Sequence, residues 1–276
     1  MKIALIGAGG KIGTRITDNL KTTEHDARYV EVSQAGVARL AEKGVTVSLL
    51  EDALLGAEIV IMAVPDTLLE SISASVVPQL APGTIVLALD PAAPLGGELA
   101  HRDDLVYAIA HPCHPSVFAW EPTEAAFRDF YGGVAAHQVA VVALLHGPDA
   151  AIEAVEAVAR VIFAPVTKIH RLTLQQMALL EPGLAEALQQ SCLEVIKEGL
   201  DEIIARGVPA EAARDFLLGH LRIQSAILFG EVPGRFSDAA YKISAYARPL
   251  IFRDNWKDVL TDESVQAQVK VITKGK

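Results

Sequence analysis

A doubly wound α/β fold with a parallel sheet, followed by an all-α C-terminal domain, is predicted by three observations. Residues 2–13, KIALIGAGGKIG, run from an apolar strand directly into a glycine-rich turn and the start of a helix. Strand-like runs then alternate with helix-like stretches to about residue 170, the pattern of β-α-β units. From about residue 171 the strand signals stop and helix formers dominate. The expected domains are therefore 1–170, a Rossmann-type sheet domain, and 171–276, an all-helical one.

The first strand, Ile3-Ala4-Leu5-Ile6, leads into Gly7-Ala8-Gly9 and on to Gly13, a G-x-G-x-x-x-G spacing. Gly7 permits the tight turn, Gly9 lets backbone approach a pyrophosphate, and Gly13 lets the helix pack on the sheet. Amide groups at the helix start, reinforced by its dipole, supply the anion site. A dinucleotide is thus expected on Gly7, Ala8, Gly9, Gly10, Lys11, Ile12 and Gly13. A second strand, 27–32, carries Glu31 near the ~20-residue spacing of an acid that binds ribose hydroxyls. A carboxylate there repels a 2′-phosphate and favours NAD over NADP, a preference that Ser33 and Arg39 would soften.

Residues 37–43 read as a short helix ended by Gly44, and 45–47 as a short strand. Residues 58–64 form a continuous apolar run, as in a buried parallel strand. It stops at Val64-Pro65-Asp66, at the carboxyl edge of the sheet where open α/β folds bind ligands, so these three join the expected cofactor site. A helix over 68–80 and strands over 84–89, 106–110 and 138–145 follow, then a helix over 150–160 and a last strand over 163–169. Residues 172–206 are nearly unbroken helix former, interrupted at Glu181-Pro182-Gly183; 210–229 is another helix, and 264–276 reads as a loose tail.

Composition narrows the function classes. The net charge of −10 argues against nucleic acid or an anionic membrane as partner. The chain is 51% hydrophobic with mean hydropathy +0.32, yet no apolar run approaches the ~18 residues of a membrane span. That extra apolar surface points to a homodimer built on the long helices. With a strand starting at residue 2 there is no room for a signal peptide, and the 2 cysteines form no disulfide framework, so the cytoplasm is the expected location.

The segment His111-Pro112-Cys113-His114-Pro115 places two imidazoles and a thiol in a proline-stiffened loop at the ligand-binding edge. His111 and His114 are the expected catalytic residues, each suited to be a general base, a hydrogen-bond donor or a metal ligand. Nothing points to an activated Cys113 thiolate. Glu194, Glu198 and Asp201 share one helix face, and with His114 would suit Mg²⁺, Mn²⁺ or Zn²⁺. Glu194 also lies opposite the apolar stripe of its helix, where a solvated residue belongs. Glu181 is rotated away from it unless Pro182-Gly183 kinks the helix. Arg222, Arg235, Arg248 and Arg253 are available for an acidic substrate.

The glycine motif, the Val-Pro-Asp strand end and the helical second half resemble the 6-phosphogluconate dehydrogenase-like superfamily, which includes β-hydroxyacid dehydrogenases and ketol-acid reductoisomerases. The catalytic lysine of β-hydroxyacid dehydrogenases is missing: the corresponding stretch is Leu172-Thr173-Leu174-Gln175-Gln176-Met177, and Lys168 lies in the preceding strand. GAGGKIG at 7–13, LDPAAP at 89–94, HPCHPSVF at 111–118 and RDFLLGH at 214–220 are similar to the D-apionate oxidoisomerase group over nearly the whole chain. The resemblance implies NAD-dependent oxidation of a small sugar acid, a 2-hydroxy acid, with a 1,2-shift like that of ketol-acid reductoisomerases. Such a shift needs a Lewis acid. The resemblance therefore also implies a divalent metal (Zn, Mg or Mn) on His114 and Glu194, with His111 or His114 moving the hydroxyl proton. A simple sugar-acid dehydrogenase and a non-catalytic NAD-binding sensor are the alternatives.

Overall fold

The structure, a computed structural model, describes residues 1–275. The chain divides into two compact units, Met1–Glu181 with the segment from Gln266 onward, and Pro182–Val265. The division falls at Glu181 rather than at residue 170, because Met177 is buried in a cluster with Ala88, Ile109, Val141 and Ala143 of the sheet.

The first unit contains seven strands: β1 Lys2–Ile6, β2 Asp26–Val30, β3 Ile59–Met62, β4 Ile85–Ala88, β5 Val106–Pro112, β6 Gln138–His146 and β7 Val166–Arg171. Their order in the sheet is β2-β1-β3-β4-β5-β6-β7. The chain reverses direction of travel between β1 and β3, the switch point at which such sheets open a crevice. Strands β1 to β5 pair in parallel, as expected. β6 departs from the expected all-parallel sheet and runs antiparallel to β5. The connection between them contains only the four-residue helix Glu124–Phe127, too short to carry the chain back across the sheet. The helix Ala151–Ile162 supplies such a crossover, and β7 is accordingly parallel to β6.

Alternation along the strands builds two apolar layers. Ile3, Leu5, Ile59, Ile61 and Leu87 pack on one face with Ile16, Leu20, Val155 and Ile162 from flanking helices. Ala4, Ile6, Val60, Met62 and Val86 face the other side with Leu69 and Val76. Helices therefore cover both faces, the doubly wound arrangement. The expected strand over 45–47 is irregular backbone.

The tail expected to be loose is helical over Asp262–Lys274. Val269 is buried in the first unit, Thr273 donates to Glu98 at 2.9 Å, and Lys274 pairs with Glu98 at 2.8 Å. Lys276 lies outside the described residues. The second unit holds the helices Ser191–Ala205, Ala210–Leu228 and Asp238–Ile251. No helix of the described residues is long and apolar enough to cross a membrane.

Candidate active site

The glycine turn is fixed by backbone sterics. Gly7 has φ +83°, and a Cβ there would stand 2.3 Å from the Ala63 carbonyl oxygen. A Cβ on Gly13 would meet the Gly7 oxygen at 2.1 Å, so only glycine lets the helix Lys11–Lys21 lie against the turn. That helix opens at Gly10 with no side-chain cap. Ala8, fully buried, anchors the turn from within.

Gly9 has a structural task in addition to the one its spacing predicts. A Cβ on it would strike the backbone of Gly36 at 2.5 Å, its N–H donates to Glu31 at 2.9 Å, and its carbonyl accepts from Arg39 at 2.6 and 2.9 Å. It docks the turn onto the helix Gln34–Glu42. Gly10, half-buried, lines a cavity of about 440 Å³ with Lys11 and Ile12.

Glu31 follows β2 and accepts from three amides, those of Gly9, Val32 and Ser33. Burial works against its charge, but these donors hold the carboxyl below the usual carboxylate range. Arg39 directs Nε and Nη2 at the Gly9 carbonyl and stays cationic beside this turn, and Ser33 caps the following helix through Gly36 N–H at 3.1 Å.

The same cavity is lined by Val64, Pro65 and Asp66 after β3, Asp90 after β4, and His111 and His114 at the end of β5. Parallel strands deliver these groups to one edge. His111 is the last but one residue of β5 rather than a loop residue. Its Nδ1 donates to the Leu89 carbonyl at 2.7 Å and lies 3.9 Å from Asp90. Its Nε2 stands 3.1 Å from Glu181 Oε2, an ion pair without hydrogen-bond alignment. Burial alone would push the imidazole down, but Glu181 and Asp90 outweigh it and raise its pKa to about 9. Glu181 is held low in turn: the desolvation that opposes its charge is outweighed by His111 and His114. Asp66 is pushed up to about 6, by burial first and then by the charge of Asp90.

Glu181 reaches His111 because the helix breaks there. Its φ/ψ are −145° and 112°, and Pro182 follows. A residue before proline is driven out of the α region by the pyrrolidine ring, so the rotation expected of an unbroken helix does not apply. The Glu-Pro pair is the signal that finds this residue.

His114 occupies the left-handed region at φ 61° and donates from Nδ1 to the Tyr131 carbonyl at 2.8 Å. That bond places the lone pair on Nε2. Its ring centroid is 6.4 Å from that of His111. Tyr131, which sequence reading missed, also lies under two cations of the glycine-loop helix, with Lys11 4.0 Å and Arg15 4.8 Å from its ring. It ties the cofactor loop to the histidine segment across a long stretch of irregular chain, and no local pattern announces it. The Cys113 thiol is pushed up by desolvation and by Glu181, which disfavours a nucleophilic thiolate. Glu194 belongs to the second unit, where it accepts from Gln190 Nε2 at 2.9 Å. Arg235 is engaged with Asp238 at 2.9 Å, and Arg248 lies 5.5 Å from the Trp256 ring.

Comparison with known proteins agrees with this layout. Residues 1–90 match the family described as "Acetohydroxy acid isomeroreductase, NADPH-binding domain" and residues 119–273 that described as "Phosphogluconate dehydrogenase (decarboxylating) C-term". D-Apionate oxidoisomerase of Cupriavidus necator is 48% identical over 99% of this chain and 99% of its own. The enzyme of the same name from Blautia hydrogenotrophica is 41% identical over 95% and 92%. A crystal structure described as a semialdehyde dehydrogenase NAD-binding protein from C. necator, in complex with calcium and NAD, superimposes with a TM-score of 0.96. It is 48% identical and covers 98% of this chain and 99% of that one. An NADH-preferring ketol-acid reductoisomerase from an uncultured archaeon shares the fold at 17% identity, with a TM-score of 0.68 and coverage of 99% and 82%. The chain therefore belongs to the D-apionate oxidoisomerase family, within the 6-phosphogluconate dehydrogenase-like superfamily.

Proposed function

We propose that this protein is an NAD-dependent oxidoreductase acting on D-apionate or a closely related small sugar acid, and that it couples oxidation to isomerisation. The observation that carries the reading is the convergence of His111, Glu181, Asp66 and Asp90 with the glycine-loop cavity at one edge of the sheet.

The glycine-loop cavity suits the dinucleotide this reaction requires. Gly10 stands at the cavity wall without a side chain, and the uncapped start of the next helix suits a pyrophosphate. The ionised Glu31 favours a free ribose over a 2′-phosphate. For a divalent cation we assign His114 and Glu194, an imidazole and a carboxylate that suit Zn²⁺, Mg²⁺ or Mn²⁺. When bound, the dinucleotide accepts a hydride and the cation polarises hydroxyl and carbonyl oxygens as a Lewis acid.

The chain's own residues do the rest. Both nitrogens of His111 are engaged, so it serves as a fixed positive charge beside the substrate carboxylate and keeps Glu181 ionised. With Nδ1 held by the Tyr131 carbonyl, His114 has one lone pair, on Nε2, which serves either the cation or the hydroxyl proton but not both at once. Asp66, pushed up to about 6, is poised to exchange a proton near neutrality.

The test is NADH formation by the purified protein on D-apionate, with product analysis. Turnover should occur with NAD in preference to NADP, vanish with a chelator and return with a divalent ion, and the product skeleton should be rearranged. Glu194→Gln should lose the metal-dependent turnover and keep its NAD affinity. Turnover indifferent to chelator, with an unrearranged product, would establish a simple dehydrogenase. NAD binding without turnover on any 2-hydroxy acid would make the protein a sensor.

We also assign a homodimer formed through the second unit. The helices Ser191–Ala205 and Asp238–Ile251 bury no residue, and Phe216, Leu228, Tyr246 and Leu250 are exposed at 69–73%. Sizing by light scattering should give twice the chain mass at micromolar concentration; a monomer would overturn the assignment. The two free cysteines suit a reducing compartment, in keeping with a cytoplasmic enzyme.

A further inference from the structure

The opposite edge of the sheet carries a second cluster of donor side chains, which the reaction does not use. Because β6 runs antiparallel to β5, its last residue, His146, pairs with Tyr107 near the start of β5. His111 lies at the far end of the same strand. Next to His146 is the loop that holds His101 and Asp103. We propose that His101, Asp103 and His146 bind a divalent transition metal of the zinc class, at a site separate from the candidate active site.

One ring nitrogen of each histidine and a carboxylate oxygen of Asp103 all lie within 4.8 Å of one another. His101 Nε2 is 3.0 Å from Asp103 Oδ1, and the two imidazole centroids are 4.9 Å apart. His146 Nε2 donates to the Asp103 carbonyl at 3.1 Å, which leaves the lone pair on Nδ1. Tetrahedral zinc takes nitrogen and oxygen donors at about 2.0–2.2 Å, which places the donors roughly 3.3 Å apart.

The surrounding backbone is already organised to present these donors. Arg102, between the two ligands, donates to the Val77 and Leu80 carbonyls at 2.8 and 3.0 Å and pairs with Asp104 at 2.6 Å. The Arg102 amide donates to the Tyr107 hydroxyl at 2.8 Å, and the Asp104 carbonyl accepts from Gly83 at 2.7 Å. The backbone at 102 and 104 and the Arg102 side chain are tied down, while His101 and Asp103 project to solvent. The His101 ring is further held by stacking on Tyr107 at 5.0 Å. Loop entropy that a metal would otherwise have to overcome has been removed in advance. Two imidazoles and one carboxylate with an open fourth position form a zinc-type donor set. A metal here would clasp the loop to the end of β6 and secure the antiparallel β5–β6 pair.

The experiment is a titration of chelator-stripped protein with zinc sulfate, read by calorimetry and by the unfolding midpoint. Wild type, the double variant His101→Ala/His146→Ala, and His114→Ala are compared. The double variant should lose one equivalent of Zn²⁺ per chain and the zinc-dependent rise in unfolding temperature. His114→Ala should lose at most the active-site equivalent and keep the equivalent and the stabilisation that the double variant lacks, which separates the two sites. Cobalt(II) should give the visible spectrum of a four-coordinate nitrogen–oxygen site in His114→Ala, and that component should be missing from the double variant. Asp103→Asn, a surface change, should weaken zinc at least tenfold while leaving the metal-free unfolding midpoint in place. Wild-type zinc stoichiometry and affinity in the double variant, or in Asp103→Asn, would overturn the proposal.

Discussion

Replacing Glu181 with glutamine is expected to lower NADH formation on D-apionate at pH 7 by about a hundredfold, the scale at which loss of a positioned acid–base environment is felt. The reason lies in the charge state of His111. With Glu181 ionised 3.1 Å away, the imidazole stays protonated to about pH 9. Without that carboxylate, burial becomes the dominant influence and drives the ring toward its neutral form. The defect should therefore shrink as the pH is lowered, because protons restore the imidazolium. NAD affinity should be unchanged, which a merely unfolded variant would not show.

The same pair makes a stability prediction whose sign follows from linkage. His111 has a raised pKa in the folded state, so its contribution is complete below its ordinary value of 6.5 and is lost as pH rises through about 9. Glu181 has a lowered pKa, so its contribution is complete above 4.5 and is lost as pH falls through the folded value. The pair is thus most stabilising between pH 4.5 and 6.5. From 6.5 to 9 its contribution should decline by roughly 2–3 kcal/mol. Urea unfolding of wild type and of His111→Gln/Glu181→Gln at pH 6 and 9.5 measures this. A stability gap of the same size at both values would refute the coupling.

Much of this architecture was readable because it is local. Apolar alternation over residues 2–6 and continuous apolar runs at 59–62 and 85–88 report burial on two faces, and each strand end delivers its next residues to the ligand edge. His111, Asp66 and the glycine turn were found in this way. What escaped depends on distant partners or on one backbone angle. The role of Gly9 is set by Gly36 on another helix, and His114 is held by a carbonyl in an irregular segment. The reversal of β6 follows from a connection that lacks a crossover helix, a feature of length rather than periodicity. Glu181 points away from Glu194 only along an unbroken helix, and the break at Pro182 that the sequence left open is the one the structure takes. The helix over Asp262–Lys274 was masked by its polar composition, since burial falls on few positions such as Val269.

Two glycines of the cofactor turn should respond to alanine differently. In an ordinary helix Gly→Ala is favourable by up to about 1 kcal/mol. At Gly13 the new methyl would sit 2.1 Å from the Gly7 oxygen and 3.0 Å from Ala8, all backbone atoms that cannot rotate aside. The helix must move off the turn, and Gly13→Ala should cost about 3 kcal/mol or more of stability and weaken NAD at least a hundredfold. Gly10 has an ordinary φ of −71°, and the nearest atoms to an added Cβ are 3.3 and 3.8 Å away. The Gly7 oxygen has to give by only a few tenths of an ångström, so Gly10→Ala should cost far less stability than Gly13→Ala, about 1 kcal/mol or less. Its methyl nevertheless stands at the wall of the cavity assigned to the dinucleotide, so NAD affinity should fall about tenfold. Thermal unfolding with and without NAD, together with NADH fluorescence titration, separates the two effects. A Gly13→Ala protein with the wild-type midpoint would mean the turn yields more easily than these contacts allow. Undiminished affinity in Gly10→Ala would move the pyrophosphate away from the start of this helix.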